Sequence, residues 1–282
     1  MENRKHLIMQ QEWTGERLET FVYNETMIEH LHRYAIAMEY VKDKDVLDIA
    51  SGEGYGANLL AGKARNVMGV DIDGPTIKAA QKKYTKTNLE FKQGQVEKIP
   101  APDHAFDVVV SFETLEHTRE HEKMLTEIKR VLKPGGILII STPDKKNYSD
   151  LPGYNNPFHL KELYEHEFKA LLSKFFANHH CFYQALTLTS VAFTESEKKL
   201  KVYDGDYEKI QSRNNIDAGY LLAIASDLHI DRPDASIFMS HSVLQTILDE
   251  KERLVKNTLS YKIGHFLLWP LKLIRNTRHK KS

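Results

Sequence analysis

Two carboxylates and a run of glycines carry the most explicit chemistry in this chain. Val46-Leu47-Asp48-Ile49 is an apolar stretch with one acid inside it, and Ala50-Ser51-Gly52-Glu53-Gly54-Tyr55-Gly56 follows directly. Gly69-Val70-Asp71-Ile72-Asp73 then reads as a second apolar stretch ending in acid. A strand, a glycine turn, a helix and a second strand tipped with a carboxylate make a βαβ start that binds a nucleoside-bearing cofactor. The glycines let the backbone approach the ligand, and Asp71 can grip ribose hydroxyls. Gly52-x-Gly54-x-x-Ala57 also satisfies a loose dinucleotide pattern, so the glycines alone do not choose the cofactor. Asp48 shifts the balance. A negative charge just before the turn repels a pyrophosphate and suits a ligand bearing an ammonium and a sulfonium.

These residues need a scaffold, and hydrophobic patterning supplies one. Ile28, Leu31, Ala35 and Met38 recur at helical spacing between Glu25 and Val41, which reads as a cap helix. Strands are expected at about 46–50, 67–71, 88–92, 107–111 and 136–142, with helices at about 56–64, 75–84 and 119–132 between them. Such alternation predicts a parallel sheet covered on both faces, with ligands beyond the carboxyl ends of its strands. Pro134-Gly135-Gly136 should stop the last helix and turn into the fifth strand. A polar stretch, Pro143 to Asn156, then leads to a helix from about Lys161 to Phe175. Cys181 to Val191 reads as one strand, Thr194 to Asn215 as a charged surface excursion, and Tyr220 to Ala225 as a buried strand. Val243 to Val255 is helical in pattern, with Val243, Leu244, Ile247, Leu248 and Leu254 on one side. The organisation expected is a cap segment over 1–41, a central domain over 42–240, and a helix with a basic amphipathic tail over 241–282. Phe266-Leu267-Leu268-Trp269 is apolar, and residues 259–282 hold six Lys or Arg and no acid. Such a tail can lie on an anionic membrane surface or dock on protein.

Composition sets limits. The 282 residues suit one large domain, or one with appendages, and 41% hydrophobic content is ordinary for a globular chain. Basic and acidic residues balance at 39 each, which argues against a dedicated nucleic-acid binder. The single cysteine, Cys181, cannot form an internal disulfide and suggests a reducing, cytoplasmic compartment. The first twenty residues lack the apolar run of a signal peptide, and no stretch is long and apolar enough for a membrane span. None of the 14 histidines shows a metal-ligand spacing, so no metal is expected.

Further motifs agree with the glycine turn. They are Phe106-Asp107-Val108-Val109-Val110-Ser111, then Glu116-His117, then Arg130-Val131-Leu132-Lys133-Pro134-Gly135-Gly136-Ile137-Leu138. In this order, over about residues 40–175, the set resembles class I S-adenosylmethionine-dependent methyltransferases. The resemblance implies a Rossmann-like sheet, mostly parallel, with seven strands, the last antiparallel, and helices on both faces. It implies S-adenosylmethionine as cofactor. Gly52 and Gly54 would line its methionine moiety, Asp48 would order the amino group, and Asp71 would take the ribose hydroxyls. Ala50 replaces the family's first glycine. Ile72 and Val96 would flank the adenosine, and Gln95 stands where the family often has an acid facing the adenine amino group. Ser111 and Phe112 would floor the site, while Tyr55 would cover the cofactor or simply pack. His117 opens toward the transferred methyl group and is a candidate base, and His159 is its rival. His30, His32 and Tyr34 are candidates for a roof, or ordinary packing. A looser second resemblance rests on Trp13-Thr14-Gly15-Glu16-Arg17, the Glu29-His30-Leu31-His32-Arg33-Tyr34 helix, Asn156-Pro157-Phe158-His159 and Tyr220 to Asp227. These look like methyltransferases accompanying bacterial surface-polysaccharide glycosyltransferases, which implies O-methylation of a sugar hydroxyl. A quinone-biosynthesis-type enzyme, a cofactor-binding protein without turnover and a dinucleotide oxidoreductase remain alternatives. The implied partner is a small-molecule or glycan acceptor, with peripheral contact at the inner face of a membrane through the tail; the oligomeric state stays open.

Overall fold

The computed structural model describes residues 18, 20, 25–186, 190–194, 202–205, 210–213, 218–239 and 241–264. The Trp13–Arg17 motif and the apolar and basic tail from 265 onward lie outside the described residues. Helix α1 (Glu25–Ala37) precedes β1 (Asp45–Ile49), α2 (Tyr55–Leu60), β2 (Asn66–Asp71), α3 (Gly74–Lys83), β3 (Leu89–Gln93) and β4 (Phe106–Ser111). A tight helical turn, Leu115–His117, leads to α4 (His121–Val131) and β5 (Leu132–Pro143). Then come a wide helical turn at Lys146–Asp150, α5 (Glu165–Phe175), β6 (Asn178–Leu186) and β7 (Ser190–Thr194). The order closes with β8 (Val202–Gly205), β9 (Ile210–Arg213), β10 (Tyr220–Ser226), β11 (Ser236–Phe238) and α6 (His241–Asn257).

Local chemistry explains the elements nearest the site. Val108, Val109 and Val110 are β-branched and wholly buried, as suits the centre of a sheet covered on both faces. Helix α3 starts where the Asp73 carboxylate accepts the Thr76 N–H at 3.3 Å, with Pro75 in its first turn and Lys82 and Lys83 in its last. Helix α4 buries Met124, Leu125, Ile128 and Val131 along one stripe.

The strands form a nine-stranded sheet in the order β11-β7-β6-β10-β5-β4-β1-β2-β3. Pairings from β3 to β5 are parallel. Those from β5 through β10, β6 and β7 to β11 are antiparallel. One face packs Leu47, Ile49, Val70 and Leu138 against α4 and α5. The other packs Val46, Val108, Val110 and Ile139 against α1, α2 and α3. Each such fully buried aliphatic side chain contributes about 1.5–3 kcal/mol.

The Rossmann-like sheet is thus present, but among the described residues it has nine strands and not seven. The stretch expected as one strand from Cys181 is a hairpin: Phe193 of β7 pairs back on Tyr183 of β6. The charged excursion contains the separate β8–β9 pair. Strand β10 is antiparallel as expected, yet it is not the last, because β11 follows and pairs with β7. Strand β5 starts at Leu132, ahead of the glycines, because Leu132 already pairs with Phe106 before a register irregularity; Gly135 takes φ +74° there. Helix α5 begins only at Glu165, where Glu167 reaches back to the Tyr164 N–H at 3.0 Å.

The chain divides into two compact units, Met1–Met239 and Ser240–Ser282. In the second, Leu248, Leu254 and Val255 of α6 are exposed. Among the described residues, no helix is long and apolar enough to cross a membrane.

Candidate active site

The glycine turn leaves the carboxyl end of β1 through left-handed backbone at Ala50 (φ +61°), Gly52 (φ +52°) and Gly54 (φ +90°). Ala50 adopts a conformation that disfavours side chains, in the place where the family resemblance puts a glycine. The turn is tied to the next strand. Asp71 Oδ2 accepts the Gly52 N–H at 2.8 Å, and Asp71 Oδ1 accepts the Asp73 N–H at 3.0 Å. Glu53, in the same turn, is held by Lys83 and by Thr20.

Asp48 lies beneath this turn, 1% exposed. Tyr34 of α1 covers it and donates its hydroxyl to the carboxylate at 3.3 Å. Burial pushes the Asp48 carboxyl up to about 7; the Asp71 charge adds to this and the Tyr34 hydrogen bond opposes it. The Tyr34 ring also packs edge-on against Tyr55 and Phe112, at 5.6 and 5.1 Å between centroids. The Tyr55 hydroxyl meets His30 Nδ1 at 2.9 Å. Ile72 stands 63% exposed beside Asp71. Val96 is half-buried and Gln95 exposed, its backbone bridged to Lys98. The Ser111 hydroxyl is buried at the end of β4 and finds no hydrogen-bond partner among the described residues.

These features fit S-adenosylmethionine. Two carboxylates under a turn favour a cationic ligand over a pyrophosphate, and Ser111 offers an orphaned buried hydroxyl beside them. Asp71 and Ile72 present a carboxylate and an apolar surface side by side, as ribose and adenine require.

The second half of the site begins one residue past Phe112. Glu113 has φ +48°, accepts the Ser141 hydroxyl at 2.6 Å and lies 3.3 Å from an Arg33 nitrogen. Arg33 is wholly buried; its Nε donates to Gln184 at 2.8 Å and its guanidinium lies 4.4 Å above the Tyr220 ring. Burial works against its charge, but Glu113, Tyr220, Glu29 and Glu116 outweigh that and hold it protonated. Glu116 is buried with one oxygen on the Thr142 hydroxyl at 3.0 Å. Burial, then the Glu113 charge, raises its carboxyl well above the usual range.

His117 and His159 are brought together here, their rings 5.2 Å apart and perpendicular. His117 Nδ1 faces the Phe158 carbonyl at 3.1 Å, and its side chain is 33% exposed. His159 is 6% exposed, bonded through Nδ1 to Glu162 at 2.5 Å and through Nε2 to the Asn156 amide at 2.9 Å. Its ring stacks on Tyr148. The sequence showed no metal-ligand spacing, yet the fold brings donor atoms of Glu116, His117 and His159 within 4.8 Å of one another.

The roof candidates divide. Tyr34 and His30 lie over the turn. His32 instead joins Ser190 and Ser236 at 2.8 and 3.0 Å, tying α1 to β7 and β11, and burial followed by the nearby Arg33 lowers its pKa to about 4. Arg33, Glu113, Tyr148 and Tyr220 were not singled out as site residues from sequence. A depression of about 460 Å³ between Tyr40, Gly135 and Leu228 lies where β5 begins, at the opposite end of the sheet from Asp48, and takes no part in the site.

The fold is that of Rossmann-like methyltransferases. Residues 47–140 match the family model of a methyltransferase domain. A probable S-adenosylmethionine-dependent methyltransferase of Mycolicibacterium smegmatis is 39% identical over 132 residues, 46% of this chain and 50% of that protein. A fatty-acid O-methyltransferase of the same organism is 32% identical, over 44% of this chain and 48% of that protein. The chain spans about half the length of these curated relatives. In structure, the YcgJ protein of Bacillus subtilis shares the fold with a TM-score of 0.55 at 17% identity, covering 71% of this chain and 100% of that one.

Proposed function

We propose that the chain is an S-adenosylmethionine-dependent O-methyltransferase acting on a hydroxyl of a glycan or of a nucleotide- or lipid-linked sugar. The observation that carries this reading is the Glu116–His117–His159 cluster, whose first two members follow the carboxyl end of β4, the strand paired with β1 and its Asp48. When bound, S-adenosylmethionine supplies a methyl group whose bond to sulfur breaks as the bond to the acceptor oxygen forms, the electron pair staying on sulfur. The chain's own work is alignment, exclusion of water and removal of the hydroxyl proton. Asp48 holds the ammonium, Asp71 the ribose, Ile72 and Val96 the adenine faces, and Gln95 the adenine amino group. Gly52, Gly54, Ser111 and Phe112 shape the floor, and Tyr34 and Tyr55 close the roof. His117 is the better placed base: its Nδ1–H is fixed on the Phe158 carbonyl, which turns the Nε2 lone pair toward the cluster. His159 has hydrogen bonds at both ring nitrogens. Tyr154 and Tyr220 each pack against Tyr148, and the exposed Tyr154 offers a ring on which a sugar can stack.

A lipid acceptor is the second reading. Leu151, Tyr154, Phe158 and Leu160 are exposed apolar side chains on the loop carrying His159, and one relative is named for a fatty acid. A lipid-linked sugar would use both surfaces, with the chain cytoplasmic and its tail against the inner face of a membrane. Calorimetry with S-adenosylmethionine, followed by mass spectrometry of nucleotide sugars, lipid-linked glycans and fatty acids incubated with the protein, tests the proposal. Cofactor binding and a one-methyl mass gain on a sugar are expected, with turnover reduced about 100-fold in His117→Ala. Failure to bind the cofactor overturns the reading, and methylation of the fatty acid alone selects the second.

A further inference from the structure

We propose that Glu116, His117 and His159 form a binding site for a divalent first-row transition ion, which holds the acceptor's oxygen. Three protein donors converge: a Glu116 carboxylate oxygen and one ring nitrogen from each histidine, all within 4.8 Å of one another. Convergence alone is common in proteins. What marks this cluster is the state of the groups behind the donors. His117 presents Nδ1 to a backbone carbonyl, so that nitrogen carries the proton and Nε2 carries the lone pair. His159 presents Nδ1 to the Glu162 carboxylate, which fixes the same tautomer. A histidine donating its outer N–H to a carbonyl or a carboxylate is the usual arrangement behind a metal-bound imidazole.

Asn156 reports the direction of the His159 lone pair. Its Oδ1 accepts the Phe158 N–H at 3.0 Å, which settles the orientation of the amide, and its Nδ2–H then points at His159 Nε2 at 2.9 Å. That nitrogen is therefore an acceptor, and a cation would displace the amide. The Glu116 oxygen not bonded to Thr142 lies 3.9 Å from His117 Nε2, close enough for one ion to reach both after small side-chain shifts. Glu116 is buried, and Glu113 beside it lies within ion-pair distance of the Arg33 guanidinium. Two imidazoles and one carboxylate suit manganese, iron, cobalt or zinc better than magnesium or calcium. Three protein ligands leave coordination positions open for an alcohol oxygen, whose proton is more acidic once bound.

This deepens the proposed O-methyl transfer and rests on it for the identity of the acceptor; it makes His117 a ligand in place of a base, and the acidified hydroxyl proton passes to solvent water. The site itself is tested without turnover. The untagged full chain, stripped with a chelator, is titrated with cobalt(II) by calorimetry and visible absorption. S-adenosylmethionine binding is measured separately in the absence of metal. One cobalt per chain is expected, with ligand-field bands of mixed nitrogen and oxygen coordination. Glu116→Gln and His117→Ala should each weaken the affinity by about tenfold or more. Glu162→Gln, outside the cluster, should weaken it in the same direction. No saturable binding of cobalt or zinc overturns the site, as does binding that all three variants leave unchanged. Cofactor binding without metal binding overturns the cation site alone, and metal binding without cofactor binding overturns only the methyltransferase reading.

Discussion

Asp48 and Asp71 are both buried but differ in what they bond, a tyrosine hydroxyl in one case and backbone N–H groups in the other, and their predicted behaviour differs accordingly. Asp71 is anchored by two backbone N–H groups, so Asp71→Ala frees those donors and removes the charge proposed to hold the ribose. S-adenosylmethionine should then bind roughly ten- to hundredfold more weakly in a titration of the folded variant. With Asp48 in the proposed cofactor site, its raised pKa makes cofactor binding depend on pH. Its folded carboxyl titrates at about 7 against an ordinary value of 3.8, so the ligand-free folded state binds the proton more tightly than the unfolded state. The stability it contributes is full below about pH 4 and is lost as pH rises through about 7. Cofactor binding has the opposite slope, because the ammonium requires the carboxylate. Affinity should climb between pH 6 and pH 8, and Asp48→Asn should flatten both profiles; an unchanged slope in calorimetry would remove Asp48 from the site. The position of both acids near the carboxyl ends of β1 and β2 was legible in the sequence, because each closes an apolar run. Arg33 was not. A lone arginine in an amphipathic helix looks like a surface charge until Glu113 and Tyr220, distant in sequence, are seen around it.

Helix α1 acts on the turn through one ring. A Cβ added at Gly56 would sit 1.9 Å from Tyr34, and one at Gly54 would sit 2.7 Å from Phe91. Gly56→Ala must therefore displace the buried Tyr34 ring, destabilising the fold by about 1–3 kcal/mol, visible as a lower denaturation midpoint. Tyr34→Phe keeps the ring and removes the hydrogen bond that restrains the Asp48 pKa, so the pH limb of cofactor binding should move upward. The parallel half of the sheet was readable because apolar runs alternate with amphipathic helices there. The antiparallel half was less so. The hairpin of β6 and β7 is apolar on both arms around Leu186 and Ser190, and nothing in such a run shows where the chain reverses. The Glu116–His117–His159 cluster was hidden for a related reason: two members are adjacent and the third comes from a loop after β5, so no fixed spacing exists to find.

At the scale of the whole molecule, membrane contact is tested by comparing the full chain with one ending at Ser260 on anionic and neutral vesicles. Selective pelleting of the full chain on anionic vesicles, weakened by salt, is expected if the basic tail contributes about 1 kcal/mol per charge at the surface. Equal pelleting would assign the tail to packing. The placement of β10 between β5 and β6 bears on biosynthesis. A ribosome delivers β5 and β6 long before Ser226, so the nascent chain holds an apolar strand, Leu138-Ile139-Ile140, with one edge bare. At about 5–20 residues per second that interval lasts on the order of ten seconds. During it the two strands must stay apart to admit the third, while neighbouring chains offer competing edges. Yield from a rapid expression host should therefore respond to slower translation or added chaperone more than to any substitution on the finished surface.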